Sequence, residues 1–488
     1  MRTFLPLVLF FSLFIFVHCK SDTSQKPYNV LFISIDDLRA DYGGAHVIAP
    51  NMRKLSRNGI EFKNAYANIP VCGASRSSML TGLRPNYNRF FNYFSLAEVE
   101  VPEAITLPEH FKNNGYKTIS IGKIFHTGGD NEKAWSQTPI RLDHFKKEDG
   151  SWSDKGWFNY ITEENISLSE DPSNGKTLGW PWESVESESN PYYDGFYAKK
   201  AIEYLKKYSK EKKPFFLAVG LLKPHLPFNA PKKYWDLYNR DSIQIADNYH
   251  LPKNAPLPAK NFNWGELRGY QGIPKNGPVN DTIAKHLIHG YYACVSATDN
   301  LVGNIIDELD RLNLRKNTII VLSSDHGYNL SEHSYWGKQV NFETSTKSKL
   351  IIDMPGGITG DSDSIVELID LYPTLVDLCK LPQPNHLLEG KSMQPILQDP
   401  KVSTKDFAIS KYQKGVSLIE KRYNYTAWYN EDKEVFARML YDKHTDPGEN
   451  VNIAEDQEQK ERVFDMHNKL ISQFGDNFWD AATWSYGK

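Results

Sequence analysis

Cysteine is scarce: the 488 residues hold four, Cys19, Cys72, Cys294 and Cys379, too scattered for a disulfide framework or a zinc cluster. Each must be judged alone. Charge of one sign is also lacking, since 57 Lys and Arg stand against 60 Asp and Glu. No surface excess advertises nucleic acid as a partner, so an anionic substrate must meet a local basic pocket. No internal repeat or low-complexity tract is present.

An apolar run does open the chain, from Phe4 to Val17 behind Arg2, but its 14 residues fall short of a membrane span. It reads as an export signal over residues 1–19, followed by a linker over 20–26. Cys19 ends the run before the polar Lys20-Ser21-Asp22-Thr23-Ser24-Gln25, as a bacterial lipoprotein signal would, although His18 before it is atypical. Two outcomes stay open: lipid attachment at Cys19, which would be the only membrane link, or plain signal cleavage. Either places the protein outside the cytoplasm, as a periplasmic, cell-surface or secreted protein.

With 40% hydrophobic and 24% charged residues, the rest is globular and large enough for more than one domain or subdomain. Four apolar runs end in polar chemistry. Asn29 to Ile35 precedes Asp36-Asp37, and Thr118 to Ile121 precedes Gly122-Lys123 and His126. Phe215 to Val219 precedes Lys223-Pro224-His225, and Thr318 to Leu322 precedes Asp325-His326-Gly327. The β-branched composition predicts buried parallel strands. A helical stripe lies between them at Val295, Leu301, Val302, Ile305, Ile306, Leu309 and Leu312. This alternation predicts an α/β sheet whose strand ends converge on one site.

The stretch from 130 to 195 carries five of the eleven tryptophans, Trp135, Trp152, Trp157, Trp180 and Trp182. It would either wall a cleft or form a small core of its own. After about Pro382 the pattern changes to antiparallel strands near 407–410, 416–419 and 423–429, a strand and turn from Leu440 to Pro447, and a helix over 456–474. A catalytic domain over 27–382 and a smaller α+β subdomain over 383–488 are expected.

The most specific segment is Cys72-Gly73-Ala74-Ser75-Arg76, continuing to Thr81-Gly82. It resembles the signature of formylglycine-dependent (type I) sulfatases, in which C-x-P/A-x-R marks a cysteine for oxidation. The resemblance extends in order and spacing through Asn29 to Arg39, Gly122 to His126, Lys223 to His225, Ser324 to Gly327, Glu332-His333, Lys338, and Leu440 to Glu449. Within that family, Asp36-Asp37-Leu38-Arg39 and Lys223-Pro224-His225-Leu226-Pro227-Phe228 are most similar to the iduronate-2-sulfatase branch.

The resemblance implies an alkaline-phosphatase-like sandwich with a large mixed, mostly parallel sheet flanked by helices. It also implies a sulfate ester hydrolase in which Cys72 becomes formylglycine, made by a formylglycine-generating or anaerobic maturating enzyme. One hydroxyl of the hydrated aldehyde would attack sulfur, and the other would later lose its proton to expel sulfate. Asp36, Asp37, Asp325 and position 72 would hold calcium, or magnesium, as hard oxygen donors. His326 joins them by likeness to the iduronate branch. Arg76 would donate to the diol, Lys123 and Lys338 would clamp the sulfate, His126 would act as base and His225 as acid. Ala74 at the third signature position is allowed.

Tyr328, Lys347 and Lys349 depart from the iduronate pattern and are expected near the pocket mouth. There, lysines would suit a second substrate anion. The expected substrate is a sulfated carbohydrate containing uronate, from a glycosaminoglycan or ulvan. The competing readings are a phosphoester or phosphonate hydrolase of the same fold and a non-catalytic exported glycan-binding protein.

Overall fold

The computed structural model describes residues 26–86, 88–126, 130–142, 158–170, 178–260 and 266–474, with the backbone alone at 145–146 and 152–153. The expected export signal, Cys19, and the side chains of Trp152 and Trp157 lie outside the described residues.

Seven strands build the main sheet: β1 (Asn29–Ile35), β2 (Ile60–Tyr66), β3 (Lys117–Gly122), β4 (Phe215–Leu221), β5 (Thr318–Ser324), β6 (Leu350–Asp353) and β7 (Gly360–Glu367). Their order across the sheet is β7, β2, β6, β5, β1, β4, β3. Only β6 runs against its neighbours. The four runs singled out in the sequence are β1, β3, β4 and β5, and they form one contiguous parallel block. Their carboxyl ends therefore share one edge.

Both faces of β1 are covered, which is why its pattern is a continuous apolar run. Leu31, Ile33 and Ile35 pack with helices α1 (Pro50–Asn58), α3 (Tyr193–Tyr208) and α4 (Asp281–Arg311). Val30 and Phe32 face α2 (Cys72–Thr81) and α5 (Leu371–Leu378) on the other side. α4 spans 31 residues and starts cleanly, because the Asn280 side chain accepts a hydrogen bond from the Ile283 amide. Its predicted stripe lies in this core, as do Leu287 and Tyr291 further up the helix.

The carboxyl-terminal region is a four-stranded antiparallel meander, β8 (Phe407–Tyr412), β9 (Gly415–Glu420), β10 (Tyr423–Tyr429) and β11 (Val435–Asp442), covered by α6 (Lys460–Phe474). Met466 and Leu470 of α6 are buried against Ile409, Leu418, Tyr425 and Leu440. Each such side chain contributes roughly 1.5–3 kcal/mol. On the opposite face Ala408 and Ile419 pack on Tyr66 of β2 and Ile365 of β7, joining the two sheets.

Where they are described, the tryptophans pack onto neighbouring groups of the protein. Trp135 is buried, its indole donating to the Asp130 carbonyl at 2.6 Å. Trp180 stacks on Trp182, and Trp182 stacks on His286 of α4 with ring centroids 3.8 Å apart. These rings anchor the excursion to the core helix.

Candidate active site

The parallel strand ends deliver the charged residues. Asp36 and Asp37 follow β1, and neither is exposed. Asp37 has φ of 60°, a left-handed turn tolerated by Asp and common where function fixes the backbone. Lys123 follows β3 immediately after Gly122, whose φ is 72°. A Cβ on Gly122 would stand 2.0 Å from the Gly220 carbonyl oxygen of β4, so only glycine lets Lys123 turn in there. Asp325 and His326 follow β5, also without exposure.

Cys72 is the first helical residue of α2, where the helix dipole favours negative charge. Four residues on, the same helix face presents Arg76. Its Nε donates to Asp325 at 3.0 Å and its Nη2 to Asp36 at 3.2 Å. Nη1 donates to the carbonyls of Lys123 and Ile124. Arg76 is thus committed to binding two carboxylates and the loop after β3.

The other cations are distributed over the same acids. Lys123 Nζ lies 2.6 Å from Asp36 and Lys338 Nζ 2.9 Å from Asp37. Burial alone would raise the Asp36 carboxyl, but Lys123, His225 and Arg76 hold it well below the usual carboxylate range. Asp325 goes the other way: burial pushes it up in spite of His326 and Arg76. Burial, reinforced by the Asp36 charge, pushes the Cys72 thiol well above its ordinary value. A plain thiol at this place is protonated and a poor nucleophile.

The histidines are oriented by backbone carbonyls. In His225, Nδ1 donates to the Leu226 carbonyl at 2.7 Å, which turns Nε2 toward the site, 3.8 Å from Asp37. In His326, Nδ1 donates to the Gly327 carbonyl at 2.9 Å, leaving Nε2 3.2 Å from Cys72 Sγ and 3.7 Å from both Asp37 and Asp325. Such a carbonyl contact fixes the tautomer that a metal ligand needs. His126 is buried after β3, and burial, with Lys123 nearby, keeps its imidazole neutral well below the ordinary pKa.

All the residues selected from the sequence converge here: Asp36, Asp37, Cys72, Arg76, Lys123, His126, His225, Asp325, His326 and Lys338. Four contributors had no usable signal. Asp194 of α3 accepts from the amides of Leu222 and Lys223 at 2.8 Å each, shaping the loop that carries His225. Glu266 lies 3.0 Å from both His225 Nε2 and Lys338 Nζ. Tyr93 and Phe94 are 42% and 60% exposed, with ring centroids 4.0 Å apart. Their loop rests on α2 beside Cys72, where a Cβ at Gly73 would come within 2.2 Å of the Tyr93 carbonyl oxygen.

Two of the three departures from the iduronate pattern, Lys349 and Tyr328, are buried and do not face a pocket mouth. Lys349 is buried, 2.6 Å from Glu61 and 3.8 Å from the Tyr42 ring centroid, because β6 carries it back into the sheet. Lys347 pairs with Glu343 at 3.5 Å. Both lysines line a cavity with Arg39, Arg53, Glu61 and Glu449. Tyr328 is buried and stacked on Tyr291, with Lys338 Nζ 6.0 Å from its ring centroid.

Fold and site together define a hydrolase of the alkaline-phosphatase-like class. Comparison with known proteins gives the family. A sulfatase family model matches residues 28–381, and a model of the N-sulphoglucosamine sulphohydrolase C-terminal region matches 331–475. The chain is 31% identical over 406 residues to iduronate 2-sulfatase of Mus musculus, covering 75% of this chain and 71% of the relative. An ulvan-active sulfatase of Formosa agariphila is 26% identical over 484 residues, 94% of this chain and 84% of that one.

Among solved structures, one determined with its substrate D-glucosamine-2-N,6-O-disulfate shares the fold at a TM-score of 0.68 and 20% identity, covering 94% of this chain and 100% of that one. A phosphonate monoester hydrolase of Agrobacterium radiobacter does so at 0.74 and 20%, covering 91% and 95%. The chain belongs to the sulfatase family and is a sulfuric ester hydrolase.

Proposed function

We propose that this protein removes sulfate from uronate-containing saccharides, of glycosaminoglycan or ulvan origin, through Cys72 matured to formylglycine. The observation that carries the reading is the convergence of Cys72 with three unexposed carboxylates and two lysines at one sheet edge. The relatives named for iduronate and for ulvan support a sugar substrate.

Carboxylate oxygens of Asp36, Asp37 and Asp325 lie within 4.8 Å of one another, a hard donor set that fits calcium or magnesium. His326 Nε2 and position 72 complete the candidate ligands. A cation held by these residues would supply Lewis acidity, lowering the pKa of a hydrated aldehyde at position 72 and stabilising negative charge on sulfate. Maturation at position 72 answers the weakness of a buried thiol, since a formylglycine hydrate brings oxygen nucleophile and internal leaving device together.

The chain's own residues then divide the work. Lys123 and Lys338 hold sulfate oxygens as negative charge develops. His225 gives its Nε2 proton to the departing sugar oxygen, and neutral His126 takes the proton that releases sulfate. Arg76 positions Asp36 and Asp325. Tyr93 and Phe94 offer the sugar ring an apolar face beside Cys72. An export signal over residues 1–19 would carry the enzyme out of the cytoplasm, after maturation by a formylglycine-generating or anaerobic maturating enzyme.

The test follows free sulfate from defined oligosaccharides of both polymers, with peptide mass spectrometry at position 72. Release from uronate-containing chains and an aldehyde at 72 are expected. An active preparation carrying only thiol would end the formylglycine assignment. Faster turnover of matched phosphate or phosphonate esters would favour the phosphonate hydrolase reading, which shares this fold.

A further inference from the structure

Glu266 has no role in the scheme above, yet its carboxylate bridges the two groups assigned to the leaving oxygen and the sulfate. Oε1 lies 3.0 Å from His225 Nε2, and Oε2 lies 3.0 Å from Lys338 Nζ. Its side chain is 27% exposed, while those of His225 and Lys338 are 4% and 5% exposed, so it stands on the outer side of both. Burial would raise its pKa, but His225 and Lys338 hold the group well below the usual range, and it is ionised.

An incoming sulfate ester must use the same two donors. Its bridging oxygen needs His225 Nε2, and a non-bridging oxygen needs Lys338. Glu266 then loses the His225 donor, because Nε2 carries a single proton, and shares Lys338 with Asp37 and the ester while remaining beside the sugar carbon that bears it. A partly desolvated carboxylate left short of a donor is costly, and a second anion next to it more so. A hydroxyl at that place supplies the missing donor.

Resting on the sulfatase reading, we propose that Glu266 is a specificity-determining residue: it stands in for the ester while the site is empty, then accepts a hydrogen bond from a hydroxyl neighbouring the sulfated position. The enzyme therefore prefers saccharides whose neighbouring group is a free hydroxyl and rejects those carrying sulfate there.

The experiment uses the mature, metal-loaded enzyme and three saccharides alike except at the neighbouring position, which carries hydroxyl, hydrogen or sulfate. Wild-type kcat/KM should fall in that order, by about tenfold or more from first to last, as like-charge juxtaposition and an unpaired acceptor demand. Glu266→Gln should narrow the hydroxyl-to-sulfate gap to about threefold, mainly through KM on the disulfate, because the repulsion is lost. Glu266→Asp, which keeps the charge, should retain the rejection.

An equal fall on all three substrates in Glu266→Gln, with the gap unchanged, would overturn the assignment and leave Glu266 a structural partner of His225. No sulfate release from any of the three by wild-type enzyme would instead remove the proposed saccharide substrate, and this inference with it. Release with a wild-type preference for the disulfate would overturn Glu266 alone.

Discussion

Arg76 and Asp325, 249 positions apart in the chain, meet at 3.0 Å with neither side chain exposed. The same guanidinium reaches Asp36 at 3.2 Å, so one cation on the helix that carries Cys72 pins the ends of β1 and β5. Arg76→Ala would leave two buried carboxylates short of a partner. We expect a loss of about 3–5 kcal/mol by urea unfolding, the usual cost of breaking a buried pair from one side. Arg76→Lys keeps the charge but not the fork, and should recover only part of it. Unfolding midpoints for Arg76→Ala close to wild type would show that the pair does not hold the site together.

Much of this arrangement was legible in the sequence because it follows local rules. Buried parallel strands have continuous apolar runs, and acids and bases after four of them point to a common edge. Arg76 follows Cys72 by one helical turn, so their shared face needed no structure. Glu266 was not legible: it sits in a segment without strand or helix period, and its meeting with Lys338 depends on tertiary placement. Lys349 was misplaced for a related reason. Proximity in sequence to Asp325 does not say that β6 turns back antiparallel and carries Lys349 under Tyr42. The tryptophans show the same limit, since composition alone cannot distinguish Trp182 stacked on His286 from a ring facing solvent.

Removal of the divalent ion should abolish turnover. Asp36, Asp37 and Asp325 crowd their oxygens within 4.8 Å, and a hard dication is what such a set accommodates. Exhaustive chelation, followed by calcium or magnesium titration with sulfate release as readout, should show loss and recovery. Full rate in a chelated sample whose metal content is verified as nil by elemental analysis would exclude the assignment.

His225→Ala should slow sugar sulfates by about 10²–10⁴-fold, the usual worth of a positioned general acid. Aryl sulfates should suffer much less, since a phenolate leaves without a proton whereas a sugar alkoxide does not. The contrast matters because His225 is also structural, its Nδ1 tied to the Leu226 carbonyl. Equal losses on both substrate types would assign it to geometry alone.

Lys411 gives a stability prediction separate from catalysis. It lies on β8 with 4% exposure, and its Nζ has no hydrogen-bond partner among the described residues. Burial lowers its pKa from 10.5 to about 7. Between those values the unfolded chain binds a proton that the folded chain does not, so stability rises with pH through that window. Below about pH 7 both states are protonated and the cost of burying the ammonium is present in full. Lys411→Met keeps the length of the side chain without the charge. It should therefore raise stability by a few kcal/mol near pH 6.5, and the gain should shrink toward pH 10 as the wild-type penalty disappears. Thermal unfolding of both proteins at pH 6.5 and 9.5 measures the difference directly. An equal gain at both pH values would mean that packing, and not the buried amine, sets the effect, and a loss at both would mean that Nζ has a favourable partner in solution.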